Sequence, residues 1–152
     1  MGWNTIATQD VLNEFTAAEQ AALQGIQGAT TELAAVLSRV VAKMRSQIKA
    51  GGNQLDMTGQ TIPDGLQEEA VAIARWRWLN SFPAMAALKT KERREAYEQA
   101  TATMKEISSN EPNRPRTELP VIMDATAAPV DGVQVASRSK RRATRRKLSG
   151  LI

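Results

Sequence analysis

The chain has 152 residues, enough for one ordinary domain with extensions, and its 20 basic and 16 acidic residues give a formal net charge of +4. It contains no cysteine and no histidine, which excludes disulfides, thiol nucleophiles, imidazole bases and zinc sites built on these side chains. No stretch approaches the roughly 18 continuous apolar residues of a membrane-spanning helix, and no secretory signal is apparent. The sequence therefore predicts a protein made in a reducing cytoplasm, with no membrane partner.

The positive charge is concentrated near the C-terminus. Residues 138–147 hold 7 of the 20 basic residues and none of the acidic ones. The rest of the chain has 13 basic and 16 acidic residues, a net charge of −3. A uniformly basic nucleic-acid-binding domain does not have this distribution, so the pattern indicates a mildly acidic body with a cationic arm.

The first predicted elements are short helices. One lies near Gln9–Phe15, and the spacing of Thr16 and Glu19 is that of a capping box, which predicts a second short helix. Gly25 or Gly28 ends this second helix, because glycine accepts the backbone conformation that follows a helix.

A long amphipathic helix is predicted over residues 31–50, ended by the glycine pair at 51–52. Arg39, Lys43, Ser46 and Lys49 fall outside the apolar arc. A polar loop is predicted over residues 53–62. The apolar arc, measured from Leu33 at 100° per residue, contains Ile26, Val36, Leu37, Val40, Val41, Met44 and Ile48.

A third helix is predicted to start after Pro63, with Asp64 and two glutamates in its first turn. It ends near Asn80, because Pro83 disfavours helical backbone at the residue before it. Its predicted core face consists of Ala70, Val71, Ala74, Trp78 and Phe82.

A fourth helix carries a second apolar stripe and ends at Ser108–Asn110. Residues 111–137 follow with four of the six prolines and no helical stripe, although two short strands forming a hairpin are an option there.

The predicted organisation is a helical domain over 1–110, an extended segment over 111–137 and a basic arm with an apolar tip over 138–152. The fold class is all-α: three main helices, a short N-terminal helix and a long extended arm. The stripe of the fourth helix consists of Tyr97, Ala100, Met104 and Ile107.

Trp76 lies off the predicted core face, since two positions along a helix turn the side chain by about 200° from Trp78. One interpretation is that its ring packs within its own chain. Another is that Trp76, flanked by Arg75 and Arg77, contacts a neighbouring subunit, because aromatic residues and arginine are enriched at interfaces. Stacking on nucleic acid is a third option, although one ring is a weak platform.

Acidic residues cluster on the third and fourth helices, but their pattern does not predict a reaction. They neighbour lysines and arginines or lie in first turns, which is typical of solvated helix faces. No nucleophile–base set and no phosphate-binding loop is recognisable, so we predict no catalytic residue, no metal site, no cofactor and no enzyme activity. The acidic residues in question are Glu68, Glu69, Glu92, Glu95 and Glu98.

The basic arm has several interpretations. A disordered tail would bind nucleic acid through phosphates. A helical arm would place its apolar tip at positions i, i+3 and i+4, suited to an anionic membrane surface or to an acidic cleft of a protein partner. The remaining alternative is a solubilising tail. The cationic residues are Arg138, Lys140, Arg141, Arg142, Arg145, Arg146 and Lys147, and the tip consists of Leu148, Leu151 and Ile152.

The order of these segments resembles that of the helical head–tail connector proteins of tailed bacteriophages, also called adaptor or head-completion proteins. "NTIATQDVLNEFT" is similar to the opening helix of that family, and the amphipathic helix 31–50 follows it. "QEEAVAIARWRWL" and "REAYEQATATMKEISSNE" are similar to the two later helices. The resemblance covers residues 4–110. Asn110 stands where the family often has glycine, and the basic arm is not part of the pattern.

The resemblance implies a subunit of a homo-oligomeric ring, commonly of twelve copies, located at the head–tail junction of the virion and made in the bacterial host cytoplasm. Such a ring docks on the portal protein, extends the channel for the viral DNA and offers a platform to the next neck or tail protein. The extension over residues 112–152 would then reach the portal, with its basic residues from Arg138 onwards as the portal-docking arm and the apolar tip as its anchor.

Three other classes remain as alternatives. The first is a nucleic-acid-binding protein that uses the basic arm, which would lose affinity steeply as salt rises. The second is an enzyme. The third is an assembly chaperone that is absent from the finished particle.

Overall fold

The computed structural model describes residues 2–109, which form a small helical bundle with a two-stranded sheet. This confirms the predicted all-α bundle. Two short 3-10 helices, Asp64–Leu66 and Pro83–Leu88, precede the last two α-helices. The elements in chain order are β1 (Trp3–Thr5), α1 (Thr8–Leu12), α2 (Ala17–Gln24), α3 (Ala29–Ala50), β2 (Thr61–Pro63), α4 (Gln67–Ser81) and α5 (Lys91–Ser108).

Helices α3, α4 and α5 pack against one another and enclose most of the core. The apolar arc predicted for the long helix is confirmed for its members within α3, whereas Ile26 lies before the start of α3 and is half-buried there. The stripe of α5 is also confirmed, although Tyr97 at its start is only half-buried. The buried part of the α3 arc consists of Leu33, Val36, Leu37, Val40, Val41, Met44 and Ile48.

The long helix begins at Ala29, two residues before its predicted start. Gly28 has a φ of 79°, a left-handed conformation that turns the chain directly into the helix. At the other end Gly51 is the C-cap, as predicted. Ala29 is buried, so the extra turn adds apolar packing at the start of α3.

Trp78 joins the middle of the bundle to the start of α3. Its ring is 1% exposed, and its Nε1–H donates to the backbone oxygen of Ala29 at 2.9 Å. Phe15 packs edge-to-face on this indole, with ring centroids 5.8 Å apart. A buried aromatic pair of this kind supplies both apolar area and a fixed geometry, so it orients α4 relative to α3.

The loop predicted over residues 53–62 is wrong at its end, where the chain forms one strand of the small sheet. Strand β2 begins inside that stretch, and β1 pairs with it antiparallel, with Trp3 opposite Pro63 and Thr5 opposite Thr61. Strands of three residues are too short to show alternating hydrophobicity, and these two are far apart in sequence, so no local pattern predicted them.

Arg45 on α3 holds strand β2 and the loop before it through hydrogen bonds. It is 8% exposed, and its guanidinium donates to the backbone oxygens of Thr61 and Asp56. The same guanidinium lies over the Trp3 ring, 5.6 Å from its centroid. A buried charge is tolerable when its hydrogen bonds are met, and here the sheet and its loop meet them.

Among the predicted bounds of the two N-terminal helices, those of the first are wrong and the end of the second is confirmed. The first helix is Thr8–Leu12 rather than the predicted Gln9–Phe15, because the chain turns after Leu12 and buries the Phe15 ring. The capping box of Thr16 and Glu19 is present, and α2 ends at Gly25 as predicted. The predicted extended segment and hairpin over 111–137, like the basic arm, lie outside the described residues.

Arg93 on α5 holds the second helix against the bundle. Its guanidinium pairs with Glu19 at 2.9 Å, donates to the Leu88 backbone oxygen at 2.8 Å and lies 4.7 Å from the Phe15 ring centroid. The hydrogen bonds from Arg93 and from the Thr16 backbone lower the pKa of Glu19 to about 2. The Glu19 carboxylate is therefore ionised throughout the neutral and mildly acidic range.

Stability is expected to depend on this carboxylate at low pH. Because the pKa of Glu19 is lower in the folded state, its contribution is complete above its ordinary pKa and is lost as the pH falls from about 4.5 towards about 2. Glu19→Gln should cost about 1–2 kcal/mol of unfolding free energy at pH 7, and the difference from wild type should shrink below pH 4. Denaturant unfolding at several pH values measures both quantities.

The matched control is Glu98→Gln, which removes the same charge from an exposed i,i+4 pair with Arg94. It should change stability by less than about 0.5 kcal/mol at pH 7. Equal losses in the two variants would contradict the role assigned to Glu19.

Candidate docking groove

An open groove of about 730 Å³ runs between α1, α4 and α5. The side of α5 that faces it carries small or neutral residues, whereas α1 and the start of α4 contribute charged ones. The lining residues are Asp10, Asn13, Glu14, Asp64, Gln67, Glu68, Glu69, Val71, Ala72, Arg75, Ala96, Gln99, Ala100 and Thr103.

The charge of this acidic groove has a structural origin. Asp10 lies in the first turn of α1, and its carboxylate accepts from the Ala7 backbone N–H at 2.8 Å. Asp64, Glu68 and Glu69 lie in the first turns that lead into α4. Carboxylates stabilise helix N-termini, and the fold brings two such N-termini to one groove.

Arg75 is the single basic residue among the lining residues that the structure describes. It is 9% exposed and pairs with Glu14, its Nη1 lying 2.8 Å from Oε2 of that carboxylate. Burial lowers the pKa of Arg75, and the Glu14 charge opposes this effect. The guanidinium stays protonated at neutral pH because its ordinary pKa is so high.

Three buried polar atoms along the groove have no hydrogen-bond partner within residues 2–109: Asp64 Oδ1, Glu69 Oε2 and Arg75 Nε. The other oxygen of Asp64 accepts from the Gly2 backbone N–H at 2.8 Å. Buried polar atoms are normally paired, so these three atoms indicate hydrogen-bonding capacity available to a ligand.

Sequence reasoning treated Glu68 and Glu69 as solvated residues, placed Asp64 at the start of the third helix and did not single out Asp10 or Glu14. Glu68 is exposed as predicted, whereas Glu69 is half-buried, which corrects the prediction for that residue. The usable signal was that four of these acids lie in first turns of helices, whereas Glu14 follows the end of α1 and carried no such signal. The contact between α1 and α4, separated by more than fifty residues, was not visible in the pattern.

The acidic residues of α5 lie on a solvent-exposed face of the helix, as predicted. Glu92, Glu95 and Glu98 are exposed. Glu95 pairs with Lys91 at 3.5 Å and Glu98 with Arg94 at 2.8 Å, both one helical turn away. Within residues 2–109 no group of three or more acidic, histidine or cysteine side chains is placed to hold a metal ion.

The structure places the three residues of the predicted subunit interface in different surroundings. Trp76 stacks on Tyr97, with ring centroids 6.0 Å apart and planes at 27°, so the ring packs partly within its own chain. Arg75 lines the acidic groove, and Arg77 lies beside Met44 and Thr101 in a small recess on the α3 side. A subunit contact at Trp76 stays a prediction.

No helix within the described part of the chain is long and apolar enough to cross a membrane.

The portal-docking arm predicted over Arg138–Ile152 lies outside the described residues. Comparison of the chain with protein-family models, with curated proteins and with solved structures gives no match.

Proposed function

We propose that the chain is a structural subunit of a head–tail connector ring of a tailed bacteriophage and is not an enzyme. In this proposal the ring docks on the portal protein, extends the DNA channel and supports the next neck or tail protein. The observation that carries the proposal is the order of the helices. Short N-terminal helices, the 22-residue α3, a loop and the α4–α5 pair follow in the order that the family resemblance implies.

The charge of the described domain supports the same proposal. Residues 2–109 contain eleven basic and twelve acidic side chains, a net charge of −1. DNA binding without sequence preference depends on basic side chains that neutralise phosphates. A nearly neutral body beside a DNA channel lets the duplex pass without holding it, whereas a body built to bind DNA would be strongly basic.

The arm is the docking element in this proposal, anchored on the portal by its apolar tip. The test is the affinity of the full chain for the portal ring of the same phage, at low and moderate salt and with duplex DNA as competitor. Leu151→Asp should weaken portal binding at least about tenfold, since a buried charge without a partner is costly. A chain that stops after Ser137 should not bind the portal.

The matched control is Ser149→Asp, which adds the same charge to the arm at a position outside the i, i+3, i+4 stripe of the tip. It should bind the portal nearly as well as wild type. If the full chain ignores the portal and binds DNA with steep salt dependence, the proposal fails and the nucleic-acid-binding alternative replaces it.

A further inference from the structure

The acidic groove carries a charge that selects for a cationic ligand. Within residues 2–109, five carboxylates and one guanidinium line it, so the formal charge of this part of the lining is −4. Of the five, only Glu14 has a basic partner among the described residues, through its pair with Arg75. A phosphate backbone would be repelled from this surface, and a cation would be attracted.

The unpaired buried atoms indicate which class of cationic ligand fits the groove. Asp64 Oδ1 and Glu69 Oε2 are acceptors, and a ligand that donates N–H groups satisfies them. Arg75 Nε is a donor on a side chain that is about nine-tenths buried, and it needs an acceptor such as a carbonyl oxygen. A metal ion or a simple amine serves only the two acceptors, whereas a basic peptide offers cationic side chains together with backbone carbonyls.

We propose that the groove binds the cationic run at residues 138–147 of a second copy of this chain. That run has seven basic residues and no acidic one, the densest positive charge in the sequence. The 28 residues between the described domain and the run span at most about 90 Å, which is ample reach to a neighbouring copy.

The choice of a second copy rests on the proposed ring. A head-to-tail ring needs two different, complementary surfaces on every subunit, because each copy contacts its two neighbours through opposite sides. The acidic groove and the cationic run are such a pair. The apolar tip that follows the run remains available to the portal, so the two parts of the arm have separate partners.

The test is a complementation experiment on full-length chains. One variant, Glu68→Gln/Glu69→Gln, has a weakened groove and an intact arm. The other, Arg141→Gln/Arg142→Gln/Arg145→Gln, has a weakened arm and an intact groove. We expect wild type to self-associate at low salt in sedimentation equilibrium, each variant alone to associate at least about tenfold more weakly, and an equimolar mixture to regain a 1:1 complex.

The control is Glu32→Gln/Glu98→Gln, which removes the same charge outside the groove and should associate like wild type. Circular dichroism melts verify that all variants are folded. A monomeric wild type, a groove variant that associates normally, or a mixture that does not regain the complex each overturns the inference. The assay contains neither portal nor DNA, so its failure is distinct from a failure of portal docking.

Discussion

Replacing Gly51 with alanine is expected to lower the free energy of unfolding by about 3 kcal/mol, the upper range for forcing extra atoms into a packed site. An alanine Cβ at this position would overlap the backbone oxygen of Ile107 and lie 3.1 Å from its carbonyl carbon. Both are backbone atoms of α5, so the last turn of that helix has to move. The φ of Gly51 is −73°, which any residue adopts, so the cost is one of space.

Denaturant unfolding of Gly51→Ala measures this effect, and the chain offers a matched control. Gly65→Ala adds the same methyl group where no atom lies within 4 Å. That control should be neutral, or more stable by up to about 1 kcal/mol because alanine restricts the unfolded chain. Equal stability of the two variants would show that α3 and α5 do not meet as closely as described.

Trp78→Ala is expected to have the largest effect of any single substitution discussed, a loss of about 3–5 kcal/mol. The substitution removes a fully buried indole, its edge-to-face contact with Phe15 and the hydrogen bond to the Ala29 oxygen. It leaves a cavity at the point where α4 meets the start of α3. Thermal and denaturant unfolding both report the loss.

One further substitution separates the hydrogen bond of Trp78 from its aromatic packing, and a second serves as a control at the other tryptophan of α4. Trp78→Phe keeps an aromatic ring in the core but removes the indole hydrogen bond to the Ala29 oxygen and leaves some space unfilled, which should cost about 1–3 kcal/mol. Trp76→Ala removes the same number of atoms from a half-exposed ring stacked on Tyr97 and should cost much less. A loss at Trp76 as large as that at Trp78 would mean that the core face of α4 has been assigned to the wrong tryptophan.

Local patterns in the sequence predicted the parts of the fold that depend on neighbouring residues. The apolar arc of α3, the capping box at Thr16 and the stop before Pro83 each arise within a few turns of one helix. The face of α4 was predictable in part, because two positions along a helix turn the side chain by about 200° and so separate Trp78 from Trp76. Ile73, Arg75 and Leu79 are also buried and were not predicted.

The features that sequence reasoning missed all join distant segments. The strand pair depends on Thr5 meeting Thr61, and the acidic groove depends on Glu14 meeting Arg75. Arg45 lies on the predicted long helix, yet its burial depends on carbonyl oxygens in the following loop. Neither periodicity nor composition carries information about such contacts, so they became visible only in the assembled fold.

The pairing of the N-terminal strand with β2 also has a consequence for the order of folding. Helices α4 and α5 follow each other closely and meet through contacts of short sequence separation, whereas β1 and α1 reach partners about sixty residues away. Closing such long loops is entropically costly and is repaid only after the helical bundle exists.

We therefore expect the N-terminal segment to dock late and open early, with amides that exchange hydrogen faster than those of α3 and α4. The acidic groove has α1 as one wall and exists only while that segment is docked. A ligand that occupies the groove would thus also hold the N-terminal segment in place, and binding there should raise the stability of the whole bundle.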